Sequence, residues 1–363
     1  KNVWATLSVV AVSLTVANAA EEKKWDVNQP PGEKQSVNID TKTGTWMTVD
    51  VSPDGKHIVF DLLGDLYLLP MGGGEAKALT HSVAWEMQAR FSPNGKQIAF
   101  MSDAGGGDNV WVMDVDGKNA KAVSNEDFRL LNNPVWHPNG EYIAARKHYT
   151  GTRSLGSGEI WLYHVSGGKG VQLNEKPNWQ KDLGEPAISP DGSYLYFSRD
   201  TTRGNSFEYN KNSRGQIFQI FRQDLKTGET EAFVSGAGGA IRPVPSPDGK
   251  YLAFVRRLRN QSTLYLKDLD TGKEFPVWDK LERDMQEAWS VHGVYPNFSW
   301  TPDSKRIVVW AQGKLWNVDP FKSKATEIAF HVKDTRDVQP AVRQAVEVAP
   351  DQFDVKMLRW VNV

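Results

Sequence analysis

Short hydrophobic runs separated by polar breaks recur along almost the whole chain, and each run has the length of a strand. In one unit, the runs at 97–100 and 109–113 mix β-branched and aromatic residues with polar ones. Runs of this length and composition favour a pleated, half-buried β-strand. The pattern therefore predicts an array of strands and an all-β protein.

A four-residue segment of the type Ser-Pro-Asp-Gly stands between the first two hydrophobic runs of each unit. Proline presets φ for the second position of a type I turn, Asp or Asn suits the third, and Gly supplies a left-handed residue at no steric cost. Each segment therefore predicts a β-hairpin. The six segments begin at Ser52, Ser92, His137, Ser189, Ser246 and Thr301, and the last has Ser304 in place of the glycine.

The spacing of these turns identifies the architecture. Successive turns start 40, 45, 52, 57 and 55 residues apart, and each unit holds a third hydrophobic run and a short fourth one. Four strands at such a period are typical of a β-propeller blade. The expected fold is an all-β propeller of four-stranded antiparallel blades, with six blades visible and a seventh begun.

The beginning of the chain predicts export. An uncharged, mostly apolar run covers 3–16 behind Lys1, and Ala17 and Ala19 provide the small residues that a signal peptidase reads. We expect residues 1–19 to be a signal peptide, too short to span a bilayer. The protein is therefore expected to be periplasmic or secreted. Residues 20–45 form a lead-in, in which Lys34 to Asp40 is a candidate for a ring-closing strand, and 46–363 form the propeller.

The end of the chain repeats its beginning. A run at 344–348 followed by one at 360–363 has the order of the runs at 35–39 and 46–51, after which the first turn follows. The sequence stops where a seventh turn would begin, and we expect the parent protein to continue.

Composition narrows the chemistry. The formal net charge is −1 and there are no cysteines, so neither binding to nucleic acid nor a thiolate zinc site is expected. No two of the seven histidines are two residues apart, and neither Gly-x-Ser-x-Gly nor a Walker loop occurs. The sequence therefore assigns no catalytic, cofactor-binding or metal-ligating residue, and leaves open whether the parent protein is an enzyme.

One end of the propeller is predicted to carry the long loops. The turns lie at one end, which we call the turn face; the loops between second and third strands and the connections between blades lie at the other, the long-loop face. Its predicted segments are 147–158, 198–215, 256–260 and 279–295. Its candidate binding residues are basic: Lys147, His148, Arg153, Arg199, Arg203, Arg214, Arg256, Arg257 and Arg259. They could recognise an anionic segment or substrate, pair internally, or dock a downstream domain.

Two levels of resemblance add to this reading. The turns, together with the stretch 100–114 and the Asp-Gly turn that follows it, resemble the TolB-type propeller repeat of exported bacterial proteins. The segments 25–28, 30–32, 44–47 and 58–67 are similar to the propeller that precedes the metal-dependent amidohydrolase domain in large secreted or periplasmic bacterial proteins.

The narrower resemblance implies that catalysis lies beyond Val363, in a domain that binds a divalent metal such as zinc. This chain would then shape access to that domain or dock against it, with no cofactor of its own. The alternative is a TolB-like scaffold that binds another envelope protein. A third hypothesis, a gating propeller for a serine peptidase, would require Gly-x-Ser-x-Gly downstream.

Overall fold

The computed structural model describes residues 26–150, 156–208, 211–288, 290–340, 349–352, 354–360 and 362. The expected signal peptide lies outside this part of the chain. Regular structure in the described residues consists of 27 strands. A search of the same residues found no helix with the length and apolar character needed to cross a membrane.

Six antiparallel sheets of four strands contain most of the chain. Sheet 1 consists of β2 (Val49–Val51), β3 (His57–Leu62), β4 (Asp65–Pro70) and β6 (Lys77–Ala78). Sheet 2 consists of β7 (Glu86–Phe91), β8 (Gln97–Ser102), β9 (Asn109–Asp114) and β10 (Lys121–Ala122). Sheet 3 consists of β11 (Leu130–Trp136), β12 (Tyr142–Thr150), β13 (Gly156–His164) and β14 (Val171–Gln172).

The second half of the chain repeats this arrangement. Sheet 4 consists of β15 (Leu183–Ile188), β16 (Tyr194–Asp200), β17 (Phe218–Asp224) and β18 (Thr230–Val234). Sheet 5 consists of β19 (Ile241–Pro245), β20 (Tyr251–Leu258), β21 (Gln261–Asp268) and β22 (Glu274–Trp278). Sheet 6 consists of β23 (Ser299–Trp300), β24 (Ile307–Ala311), β25 (Lys314–Asp319) and β26 (Lys324–Ile328). The predicted propeller fold and its six blades are confirmed.

The sheets follow one another around a central axis. The first strands of sheets 1 to 5 contact each other in succession, and Trp300 of sheet 6 donates its indole N–H to the carbonyl of Val244 in sheet 5 at 3.1 Å. Sheet 6 also contacts sheet 1, where the Val49 N–H donates to the carbonyl of Asn297 at 3.1 Å. The six sheets therefore form a closed ring, and a further blade would require this last contact to open.

A separate sheet lies beside the first blade. The lead-in contains β1 (Gln35–Thr41), which pairs with β27 (Phe330–Val338), and β27 pairs briefly with β5 (Gly74–Glu75). The candidate ring-closing strand thus exists, but it pairs with β27 and not with a strand of sheet 6. The run at 344–348 of the expected seventh blade lies outside the described residues, and those described from 349 onwards form no strand.

Two predicted long loops are instead continuations of strands. Over 147–158, β12 extends to Thr150 and β13 begins at Gly156, with Lys147 opposite Glu159 in the ladder. Over 256–260, β20 extends to Leu258, and Arg256 lies opposite Thr263. The backbone groups of the paired residues, 147–150 with 156–159 and 256–258 with 261–263, find their hydrogen bonds in the ladder, so the strands of both hairpins continue further than the sequence suggested.

The apolar core lies between adjacent blades. One cluster joins Val59 and Leu66 of sheet 1 to Phe91 and Phe100 of sheet 2, all of them buried. Because each blade covers the hydrophobic face of the next, closing the ring also buries the outer faces of the first and last sheets.

The turn glycines adopt the predicted left-handed backbone. In the first turn the Gly55 N–H donates to the carbonyl of Ser52 at 2.8 Å, and φ of Gly55 is +70°. Five turns share this geometry, with left-handed glycines at Gly55, Gly95, Gly140, Gly192 and Gly249. In the sixth turn Ser304 takes the same conformation at φ +57°.

We expect Gly249→Ala to lower the free energy of unfolding by roughly 1 kcal/mol, because φ is +70° while a methyl group there meets no atom within 4 Å. Backbone strain would then be the only cost. Gly72→Ala is the matched control, since a methyl group at Gly72 is also in open space and φ is not positive. Urea denaturation of both variants checks this, and equal stabilities would refute it.

Candidate functional site

In the second to fifth blades, the first strand has an unusual backbone conformation four residues before the turn. Gln88, Asn133, Glu185 and Arg242 occupy this position, all with φ between +52° and +60°. Each lies within a register shift of its strand, as expected of a β-bulge. Proline follows three of them and has no N–H to give to the ladder. The bulge turns these polar side chains towards the axis.

We call the six residues at this position the channel ring: Thr48, Gln88, Asn133, Glu185, Arg242 and Asn297. Its members bind one another across blades. The Arg242 guanidinium donates to the Asn133 side-chain oxygen at 2.8 Å, and the Asn133 N–H donates to the Gln88 side-chain oxygen at 2.6 Å. The first link joins the fifth blade to the third, and the second joins the third blade to the second, so these side chains meet around a common axis.

A segment of the chain crosses this ring. It belongs to the connection between β22 and β23, and we call residues 290–296 the cap. The Gln88 amide donates to the carbonyl of His292 at 2.8 Å, and the Arg242 Nε donates to the carbonyl of Tyr295, also at 2.8 Å. Glu185 accepts from the N–H of Val294 at 2.8 Å. Three blades therefore bind the cap from different sides. The cap closes the long-loop end of the channel.

Gly293 makes this fit possible. Its φ is +105°, and a Cβ atom at this position would stand 2.3 Å from the Arg242 Nη2 and 3.1 Å from the Glu185 Oε1. Every contact described above between the ring and the cap uses a main-chain atom of the cap. The ring therefore binds the main chain of the cap and not its side chains. The absence of a side chain at Gly293 leaves room for the Arg242 guanidinium.

The charges of Glu185 and Arg242 compensate each other in a buried setting. Their side chains are 3% and 4% exposed, with Oε1 and Nη2 3.2 Å apart. Ser198 donates a further hydrogen bond to Glu185 at 2.6 Å. Burial lowers the pKa of Arg242, while the adjacent Glu185 carboxylate opposes that shift. The pair is a structural clamp on the cap, because Glu185 accepts from the N–H of Val294 and Arg242 donates to the carbonyl of Tyr295.

A second buried cationic cluster supports the cap beside the ring. Arg146 is 1% exposed and donates to the Asp182 carboxylate at 2.6 Å, to the carbonyl of Leu183 at 2.9 Å and to that of Val291 in the cap at 2.9 Å. Its Nη2 also lies 3.0 Å from the Nδ1 of His148. Burial, and then the Arg146 charge, lower the pKa of His148 to about 3. The imidazole is therefore neutral at physiological pH.

Several of the predicted binding residues are held in ion pairs. Lys147 lies 2.6 Å from Glu126 and over the ring of Trp161. Arg256 pairs with Glu274 at 2.6 Å. Arg257 pairs with Asp284 at 2.6 Å and also with Glu287. The structure thus gives these cations, like the buried His148, partners within the protein.

The remaining predicted residues differ in exposure. Arg199 is half-buried over the ring of Phe221. Arg203, Arg214 and Arg259 are exposed. Arg283, which the sequence did not single out, is also exposed and lines a surface pocket together with Arg214. Arg153 lies outside the described residues.

Sequence reasoning missed the channel ring and the cap. A usable signal existed, because a polar residue stands four positions before every turn, and proline follows it at Asn133, Glu185 and Arg242. A search of the described residues found no group of three or more His, Asp or Glu side chains that could hold a metal ion.

Comparison with known proteins identifies relatives of this chain. The model of the TolB beta propeller domain family matches residues 32–217. A tricorn protease homolog of Saccharolobus solfataricus is 27% identical over 310 residues, covering 78% of this chain and 28% of its own. An uncharacterised peptidase of Bacillus subtilis is 24% identical and covers 62% of this chain. The chain spans between 17% and 32% of the length of such curated relatives.

Solved structures show the same fold. TolB from Acinetobacter baumannii superposes with a TM-score of 0.58 at 16% identity, covering 80% of this chain and 65% of its own. The crystal structure of the tricorn protease superposes with a TM-score of 0.55 at 18% identity, covering 79% of this chain and 26% of its own. At these identities the likeness concerns the fold alone.

We expect Glu185→Gln to lower the free energy of unfolding by about 3–5 kcal/mol, because Arg242 would keep its charge in a buried site without a counterion. Glu231→Gln is the matched control. Its partner Arg222 is half-buried and the carboxylate is 59% exposed to water, so the loss should stay below about 1 kcal/mol. Chemical denaturation measures the free energy of unfolding of both variants. Similar losses in the two would show that the Glu185–Arg242 pair contributes no more to stability than a surface ion pair.

His148 should make stability depend on pH. Its pKa is about 3 in the folded protein and near 6.5 when unfolded, so only the unfolded chain gains this proton as the pH falls between those values. As the pH falls below 6.5, the free energy of unfolding should therefore decrease by at most about 1.4 kcal/mol per pH unit. His148→Gln should flatten this part of the profile. An unchanged slope in His148→Gln contradicts the assignment.

Proposed function

The chain belongs to the TolB β-propeller family, and from that premise we propose that it is the docking propeller of an exported hydrolase. The catalytic domain would be another part of the same polypeptide. The observation that carries this proposal is the share of length: tricorn-type and other peptidase relatives contain the matched region as 17% to 32% of their chains. In such proteins the propeller accompanies other regions, and we assign the chemistry to those.

The amidohydrolase class is our proposal for the catalytic domain. It is supported by the resemblance of the segments 25–28, 30–32, 44–47 and 58–67 to propellers that precede such domains. A divalent metal such as zinc would then belong to that domain, where it would supply an activated water. We assign no residue of this chain to it.

Export is part of the same proposal. The TolB-like fold is that of exported bacterial proteins in the resemblance set out above, and residues 1–19 have the pattern of a signal peptide. The division into a signal peptide, a lead-in from 20 to 45 and a propeller from 46 onwards is proposed with it.

The long-loop face is the proposed docking surface. Arg203, Arg214, Arg259 and Arg283 are exposed on it, whereas the neighbouring Arg257 is occupied by Asp284 and Glu287. Exposed guanidinium groups fit carboxylates on a facing surface through paired hydrogen bonds. Because the cap closes the channel at this end, the face offers a continuous contact area instead of an entrance.

The test uses the full-length product of the gene. We expect it to hydrolyse amide substrates in a metal-dependent manner. Reversing three exposed charges, with Arg203→Glu, Arg214→Glu and Arg259→Glu together, should loosen the two regions, so that limited proteolysis cuts between them faster and activity falls. The matched control reverses three exposed lysines on the turn face, Lys56→Glu, Lys96→Glu and Lys250→Glu, and should change neither readout.

Two results would overturn the proposal. One is a reading frame that ends within about one blade of Val363, which would favour the TolB-like scaffold that binds an envelope protein. The other is equal cleavage and activity in the arginine and lysine variants, which would remove the long-loop face as the docking surface.

A further inference from the structure

The channel contains a pocket at its opposite end. A cavity of about 340 Å³ lies on the axis at the turn face, and every blade contributes to its lining. Its rim is made by the proline of each turn: Pro53, Pro93, Pro138, Pro190, Pro247 and Pro302. Because proline has a fixed φ, this rim is set by the backbone. We call the cavity the turn-face pocket.

The walls of this pocket are chemically divided. The residues two positions before each turn line it, and on the first two blades these are the charged Asp50 and Arg90. On the third to fifth blades they are the apolar Val135, Ala187 and Val244. One wall therefore presents opposite charges, and the facing wall presents small hydrophobic side chains.

The charged pair is incompletely satisfied within the protein. The Arg90 Nε lies 3.9 Å from the Asp50 Oδ2, beyond a good hydrogen bond. Asp50 accepts one main-chain bond, from the N–H of Phe91 at 2.8 Å. The side chains of Arg90 and Asp50 are 19% and 10% exposed, respectively. Each therefore reaches the pocket while being largely removed from bulk water. Such a site strengthens the attraction of a charged ligand group.

The apolar side of the pocket is pre-organised. Trp136 and Trp300 line it, and their indole N–H groups donate to the carbonyls of Arg90 at 3.0 Å and Val244 at 3.1 Å. Both rings are thus fixed by contacts between adjacent blades. A ligand entering here would find a shaped surface and would lose little free energy to rearrangement.

Access to the pocket is from one side. The cap closes the channel at the long-loop face, and Asn297 of the channel ring is among the residues that line the pocket. The route that we assign to a ligand is therefore between the six prolines of the turn face. The volume is at the lower end of the range for small-molecule sites, which favours a compact ligand over a folded partner.

We propose that the turn-face pocket binds a free α-amino acid with an apolar side chain, such as leucine. The ammonium group would pair with Asp50 and the carboxylate with Arg90, two groups whose separation suits the short distance between the charges of a zwitterion. The aliphatic side chain would pack against Val135, Ala187 and Val244. This inference concerns the opposite face from the docking surface and does not rest on the proposed hydrolase.

The first experiment is calorimetric titration of this chain with leucine, leucinamide and N-acetyl-leucine. Leucine should bind, and each blocked form should bind at least about tenfold more weakly, because it lacks one charge-assisted contact. No heat of binding for leucine up to about 10 mM, or equal affinity for the blocked forms, would overturn the proposal. This comparison requires no variant and is independent of any effect on folding.

The second experiment assigns the charges to residues. Arg90→Gln should weaken leucine binding at least about tenfold while leaving the weak binding of leucinamide unchanged, since leucinamide has no carboxylate. Arg203→Gln, an exposed arginine on the opposite face, is the matched control and should bind leucine like the parent. Equal leucine affinity in the parent and Arg90→Gln would overturn the assignment.

Discussion

Polar side chains at the axis of a closed ring have little water to bind, and much of this structure serves to satisfy them. In the second to fifth blades, the bulge four residues before the turn directs Gln88, Asn133, Glu185 and Arg242 inward, where all are buried. A buried polar group without a partner is costly, so the site requires donors and acceptors of its own. The cap provides them through its main chain, and the closed long-loop end of the channel follows from that requirement.

The same requirement explains the basic residues of the long-loop face. Strands β12 and β20 extend beyond the first strands of their sheets and bring their cations close to the connections between blades. Lys147 thereby meets Glu126, and Arg257 meets Asp284 and Glu287. These pairs fix the connections onto the ring, and the charges that project freely are those near the ends of loops. A count of charges on a face therefore overstates what is available to a partner.

The sequence predicted what is encoded locally. Four residues specify each turn, and the repeated turns specify blades, so the fold, the six sheets and the left-handed turn glycines could be read directly. Glu185 contacts cap residues that lie more than a hundred positions away in the sequence. No short sequence motif predicts contacts over such a separation. Likewise, whether Arg257 is free depends on an acid 27 residues distant. The polar residue four places before each turn was visible, but its direction required the bulge.

The closure of the ring has a kinetic consequence. The contact between sheets 1 and 6 joins Val49 to Asn297, which are 248 residues apart. Bringing such distant segments together costs a large loop-closure entropy, and the stabilising contact forms only after that cost has been met. The earlier blades emerge first during synthesis. The outer hydrophobic face of the first blade stays uncovered until the sixth blade is complete. Folding is therefore expected to be slow in its final step, and aggregation is the main competing outcome during that interval.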